Sequence, residues 1–252
     1  MRSISDMTFQ SQQRDTDKQF YEAEPVDRGT IASHAGLISG YLAEWVGRLR
    51  KEAGGRKLRM LELGSGSCVL ASLMAREDFV ESITCTDISA VRMNNALQST
   101  VEVIPTNVDR LAQAEMDFNR PFPFSDGAFD IVFCDAALHH ARSMWFTLAE
   151  VNRVLKPGGV FIAQRERFLM PLTQHIVTRR MLTDEEFEQG VSENSYTMGQ
   201  YNYYLAIAGF RMEPIRIRGQ EAKTKLLAPL NGIAFGRYVL WSTKTGNPKY
   251  SA

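Results

Sequence analysis

The run Leu61-Glu62-Leu63-Gly64-Ser65-Gly66-Ser67-Cys68 sets two glycines, two residues apart, directly behind a short apolar stretch. Glycine at a strand end lets the backbone turn sharply and lets a ligand approach the main chain. If a helix follows, its first N–H groups lack partners within the helix and can receive a polar or anionic group. A dinucleotide fingerprint, G-x-G-x-x-G, is not met, because Val69 stands where the third glycine would be. Carboxylates supply a second kind of chemistry. Asp87 stands 21 residues beyond Gly66 at the end of another β-like run. Its two oxygens could accept from the vicinal hydroxyls of a ribose. It could also cap the helix that follows, a role for which Ser89 competes. Asp117 ends a third run, where a carboxylate can accept from the exocyclic amine of adenine, with Met116 and Phe118 beside its faces. His139 and His140 follow a fourth run and are two of the four histidines in the chain. An imidazole there can take a proton near neutral pH, or can be a loop residue bonded to backbone. Arg165 and Glu166 follow a fifth run and suit either a polar substrate or an ordinary charged surface.

These residues need elements that bring them to one rim. Apolar residues from Ile31 to Leu49 recur at helical spacing, and Gly54-Gly55 stops that helix. Leu58 to Leu63, Ser82 to Thr86, Leu111 to Met116, Phe129 to Cys134 and Val160 to Gln164 read as strands. Val69 to Arg76, Ser89 to about Ser99 and Ser143 to Leu155 read as helices between them, and Pro157-Gly158-Gly159 as a tight turn. This alternation predicts a parallel sheet with helices on both faces. Towards the end, Tyr196 to Ala208 reads as a helix stopped by Gly209, and Phe210 to Ile217 and Phe235 to Ser242 as a closing antiparallel pair. Met1 to about Lys18 reads as a mobile tail.

The chain has 252 residues, 44% apolar and 23% charged, which suits one α/β domain. Lys+Arg and Asp+Glu are equal at 29 each, so charge gives no reason to expect nucleic acid or an anionic membrane as partner. No apolar run approaches the ~20 residues of a membrane span. Cys68, Cys85 and Cys134 lie in or beside strands without metal-ligand spacing. They read as reduced thiols of a cytoplasmic protein, and no metal is expected.

Together, Glu62 to Cys68, Asp87, Asp117, Pro123 to Asp130 and Leu155-Lys156-Pro157-Gly158-Gly159 resemble the class I S-adenosylmethionine-dependent methyltransferases, in their small-molecule branch. The resemblance implies a Rossmann-like, doubly wound, seven-stranded and mostly parallel sheet with an antiparallel last strand. It also implies S-adenosylmethionine as cofactor. Glu62, Gly64, Ser65 and Gly66 would flank its methionine part. Asp87 would hold the ribose, Ile88 would pack on adenine, and Met116 and Asp117 would meet the adenine. Asp135 and Ala136 would lie below the sulfonium. Cys68 departs from the pattern, since the family usually has a third glycine there. The expected organisation is a tail and lid over 1–28, then one domain over 29–252 with a lid-like insertion at about 167–209. His139 or His140 would serve as base, and Arg165, Glu166 and Tyr201 would meet the acceptor. That acceptor is expected to be a small molecule offering oxygen, such as a sugar or natural product. A non-catalytic cofactor-binding protein, an aminopropyl transferase and, more remotely, a nicotinamide dehydrogenase are the competing readings. The oligomeric state is left open, a homodimer included.

Overall fold

A computed structural model of the chain describes residues 4–23, 26–169, 191, 193–218 and 237–249, with side chains of the first helix from Gln12 onward. Two helices, α1 (Ile4–Ala23) and α2 (Arg28–Ala53), precede β1 (Leu58–Leu63). Then come α3 (Val69–Met74), β2 (Val80–Asp87), α4 (Ala90–Val103), β3 (Leu111–Glu115) and β4 (Phe129–Asp135). The second half holds α5 (Met144–Val154), β5 (Leu155–Gln164), a helix here called α6 (Met198–Ile207), β6 (Phe210–Arg216) and β7 (Tyr238–Lys244).

The seven strands form one sheet in the order β3-β2-β1-β4-β5-β7-β6. Strands β1 to β5 pair in parallel, and β7 runs antiparallel to both β5 and β6. The order reverses direction beside β1, so β1 and β4 diverge at their carboxyl ends and leave a crevice there. Successive residues of the central strands serve opposite faces, as a two-residue period requires. Met60, Phe133, Ile162 and Trp241 enter the core under α2, α3 and α4, while Leu61, Val132, Phe161 and Leu240 enter the core that holds α5 and α6. Burial on both faces explains why these strands read as continuous apolar runs.

Local chemistry sets the helix ends. Asp27 caps α2 by accepting from Thr30 N, Ser143 caps α5, and Thr197 with Gln200 forms a reciprocal capping box at α6. The Trp45 indole, on the buried face of α2, donates to Gln164 Oε1 at 2.8 Å and ties that helix to the end of β5.

Three sequence expectations are corrected. The segment expected as a mobile tail is mostly helix α1, which salt-bridges to Glu115 at the end of β3. Helix α4 runs on to Val103, because buried Thr100 anchors its last turn by donating to Ser67 O. Strand β5 takes in Pro157–Gly159, the irregularity being absorbed by a register shift against Phe129–Ile131. The closing antiparallel pair is as expected, with β7 placed between β5 and β6. Of the insertion expected over 167–209, residues 170–190 and 192, and with them His175, lie outside the described residues.

Candidate functional site

The loop after β1 is held open by backbone geometry and one carboxylate. Gly64 has φ +61°, and a Cβ there would stand 2.8 Å from Ala137 Cβ, so no side chain fits. Ser65 N donates to Thr86 O at 2.8 Å, and Thr86 N donates to Ser65 Oγ at 3.0 Å. Gly66 N donates to Asp87 Oδ2 at 2.8 Å, and Ser89 N donates to Asp87 Oδ1 at 3.1 Å. Ser89, not Asp87, caps α4, through Arg92 N. Asp87 is thereby free to brace the glycine loop, and burial raises its carboxyl above the usual range. Cys68 occupies the left-handed region at φ 55° with its thiol fully buried.

Glu62 lies below this loop. Its carboxyl is buried, and burial pushes its pKa up to about 8. Glu62 Oε2 has no hydrogen-bond partner among the described residues. A buried, unsatisfied acceptor is costly, and a cationic or N–H-bearing ligand would relieve it.

Glu62, Gly64, Ser65, Gly66 and Asp87 line one cavity of about 380 Å³, together with Ile88, Met116, Asp117, Asp135, Ala136, His139, His140 and Arg165. Each of the ten residues expected to meet the cofactor is on its wall. Asp117 accepts from Asn119 N at 2.9 Å and from Arg142 Nη2 at 2.6 Å, which fixes the carboxylate while leaving lone pairs for a ligand amine. Asp135 receives a bidentate pair from Arg165 at 2.7 and 2.6 Å. Helix α1 covers the mouth, contributing Asp17 and Tyr21 to the lining.

Glu166 and Tyr201, expected to meet the acceptor, are not on this wall. Glu166 is buried and turned inward. Its Oε1 accepts from Ala137 N and Leu138 N at 3.2 and 3.1 Å, and its Oε2 from His139 N at 3.0 Å. Burial opposes its ionisation, yet His139 and these N–H groups hold its carboxyl below the usual range. An ionised carboxylate can only accept, so His139 Nδ1, 2.8 Å away, carries the ring proton. Glu166 thus orients His139 rather than a substrate. Tyr201 is fully buried on the inner face of α6, and its hydroxyl donates to Arg167 O. Its spacing to Leu205 and Ala208 is a helical core stripe, a signal available in the sequence.

Glu193 is the residue that sequence reasoning missed. Its side chain, 1% exposed, approaches His140 Nδ1 at 3.1 Å, His139 Nε2 at 3.8 Å and Arg167 Nη1 at 3.0 Å. No local pattern marks it, because its partners come from distant segments. Taken together, the site offers acceptors for an amine, a ribose and an adenine, and beyond them a pair of imidazoles.

Residues 61–163 match the family model described as a methyltransferase domain. An uncharacterized chloroplastic methyltransferase of Arabidopsis thaliana is 34% identical over 106 residues, covering 41% of this chain and 29% of that protein. The demethylmenaquinone methyltransferase of Leptospira interrogans is 26% identical over 111 residues, covering 42% of this chain and 41% of its own. The chain therefore spans less than half the length of either relative. A solved structure described as a sarcosine dimethylglycine methyltransferase from Galdieria sulphuraria shares the fold. It aligns with a TM-score of 0.61 at 16% identity, over 92% of this chain and 98% of that one.

Proposed function

From the premise that this chain carries a class I S-adenosylmethionine-dependent methyltransferase domain, we propose that it methylates an oxygen of a small-molecule acceptor. The observation that carries the proposal is that Glu62, the Gly64–Gly66 loop, Asp87, Asp117 and two histidines face a single cavity. Glu62 and the loop N–H groups suit the methionine end of the cofactor, and its unsatisfied Oε2 suits the ammonium there. Asp87 suits the ribose hydroxyls, Ile88 and Met116 the adenine faces, and Asp117 the adenine amine. Asp135 and Ala136 would flank the sulfonium. When bound, the cofactor supplies a methyl group already activated by that sulfonium, so the protein's task is chiefly positioning.

An oxygen acceptor must lose a proton, and this supports a role for the histidines. Glu166 holds His139 Nδ1, which leaves Nε2 as the basic nitrogen. His140, in contact with the Tyr21 hydroxyl at 3.2 Å, is the second candidate base. Arg165, on the wall with its guanidinium paired to Asp135, suits a polar acceptor. Helix α1 is the cover over the acceptor, and we extend that role to the insertion at about 167–209. Three free, buried cysteines support a reducing compartment, the cytoplasm in our reading. No helix among the described residues is long and apolar enough to cross a membrane.

Calorimetry with S-adenosylmethionine, its demethylated product and NAD tests the cofactor. Single-site binding of the first two, and none of NAD, is expected. No measurable affinity for either would sink the proposal. A screen of hydroxyl-bearing acceptors against labelled cofactor then identifies the substrate, and His139→Ala and His140→Ala test the base. Unchanged turnover in both variants would remove the histidines from the chemistry.

A further inference from the structure

His139, His140 and Glu193 bring three ligand atoms within 4.8 Å of one another beside the cofactor cavity. We propose that they bind one divalent transition-metal ion, which holds and acidifies the acceptor hydroxyl. The ion's role in transfer rests on the methyltransferase reading above, and its binding does not; with the ion bound, His139 and His140 are its ligands and take the place of the base named above.

Four observations argue for an ion rather than a hydrogen-bonded cluster alone. His139 Nε2 lies 3.8 Å from Glu193 Oε1, too far for a hydrogen bond. His140 Nδ1 lies 3.1 Å from the same oxygen. Two atoms each about 2.1 Å from one ion stand about 3.0–3.4 Å apart, so a small closure completes the set. The outer partners are those that metal ligands have. His139 gives its other ring nitrogen to the Glu166 carboxylate, as metal-bound histidines commonly do. The Tyr21 hydroxyl lies 3.2 Å from His140 Nε2 and 3.4 Å from Nδ1, Arg167 pairs with Glu193 Oε2, and Glu193 Oε1 is the oxygen nearest both histidines. The electrostatics agree: two buried carboxylates, Glu166 and Glu193, offset Arg167 and part of the ion's charge. Finally, the two imidazole rings sit 4.2 Å apart, close enough for both to reach one ion.

Two imidazoles and one carboxylate suit Zn²⁺, Fe²⁺, Co²⁺ or Mn²⁺ better than Ca²⁺, and three protein ligands leave a position open for substrate. An acceptor hydroxyl in that position has a lowered pKa and releases its proton to water. Its oxygen then forms the new O–C bond as the C–S bond breaks, and sulfur keeps the electron pair.

The test titrates tag-free, chelator-treated protein with Co²⁺, read by visible absorption, and with Zn²⁺ and Mn²⁺ by calorimetry. S-adenosylhomocysteine binding is measured on the same samples. One ion per chain is expected. Glu193→Gln and His140→Asn should each weaken it by more than about tenfold while S-adenosylhomocysteine still binds. Absence of saturable binding, or binding that neither Glu193→Gln nor His140→Asn weakens, overturns the ion site. If S-adenosylhomocysteine binds in that case, the methyltransferase reading stands. A bound ion without any cofactor affinity would overturn that reading and keep the site.

Discussion

Glu62 carries a proton dependence that the folded protein should display. Burial pushes its carboxyl up to about 8, against an ordinary value of 4.5. Between those values the folded chain holds a proton that the unfolded chain has lost, so stability falls as pH rises through that window. Thermal melts of ligand-free protein from about pH 5 to about pH 9 should show this decline, and Glu62→Gln should flatten it. Parallel curves would contradict the assignment. An ammonium placed beside Glu62 favours the ionised form, so cofactor binding below that pKa should release up to about one proton, seen by calorimetry in buffers of different ionisation heat. Asp87 has two duties, and Asp87→Ala should reveal both. Cofactor binding should weaken by about 1–3 kcal/mol, and the melting temperature should fall, since Gly66 N and Ser89 N lose their acceptor. Cys68 departs from the family pattern at modest cost. Its left-handed backbone costs about 1–2 kcal/mol that glycine would recover, but Cys68→Gly also loses a buried thiol and frees the unfolded chain. These terms nearly cancel, and denaturation midpoints should place the variant within about 1 kcal/mol of the parent, with cofactor affinity retained.

Helix α1 illustrates how an element can escape a composition-based reading. Its Ser, Gln and Asp content suggests a solvated tail, and it gains its place only by docking on the rim of the sheet. The pairs of Arg14 and Lys18 with Glu115 are exposed and worth under about 1 kcal/mol each. The contacts at the cavity carry more of the argument: Ser89 donates to Glu22 at 2.5 Å, and Tyr21 meets His140. Because Asp17 and Tyr21 line the cavity, a bound cofactor should reach α1. Amide hydrogen exchange in α1 should slow when S-adenosylhomocysteine is added and quicken with salt. Exchange that ignores the ligand would separate α1 from the site. Helix α6 gives the opposite lesson, since its cap and its core stripe were both written locally, and Tyr201 belonged with Leu205 in that stripe.

Across the whole molecule, stability rests on a sheet buried on both faces. Phe133, fully buried in the central strand β4, should cost about 3–5 kcal/mol when truncated to alanine, whereas Tyr203→Ser, at an exposed position, should cost little. Urea denaturation of both variants checks this contrast, and equal losses would mean that the two-sided core is misjudged.

The strands, their order of appearance and the acids at their ends were legible in the sequence. Alternation, helical periodicity, glycine and cap residues act within a few neighbours, so a linear reading captures them. The same locality singles out Asp87 and Asp117, which stand at or just after strand ends, whereas Glu62 and Asp135 were indicated by the family resemblance. What only the tertiary structure decided are the meetings between segments. Glu166 turns inward because the Ala137–His139 turn needs an acceptor for its N–H groups, and nothing near Glu166 in the chain announces that need. Glu193 reaches His139 and His140 because packing returns its segment to the rim of the sheet. Sequence chose the groups at the strand ends; the closure of the fold chose which of them face the cavity and which carboxylates stand behind the histidines.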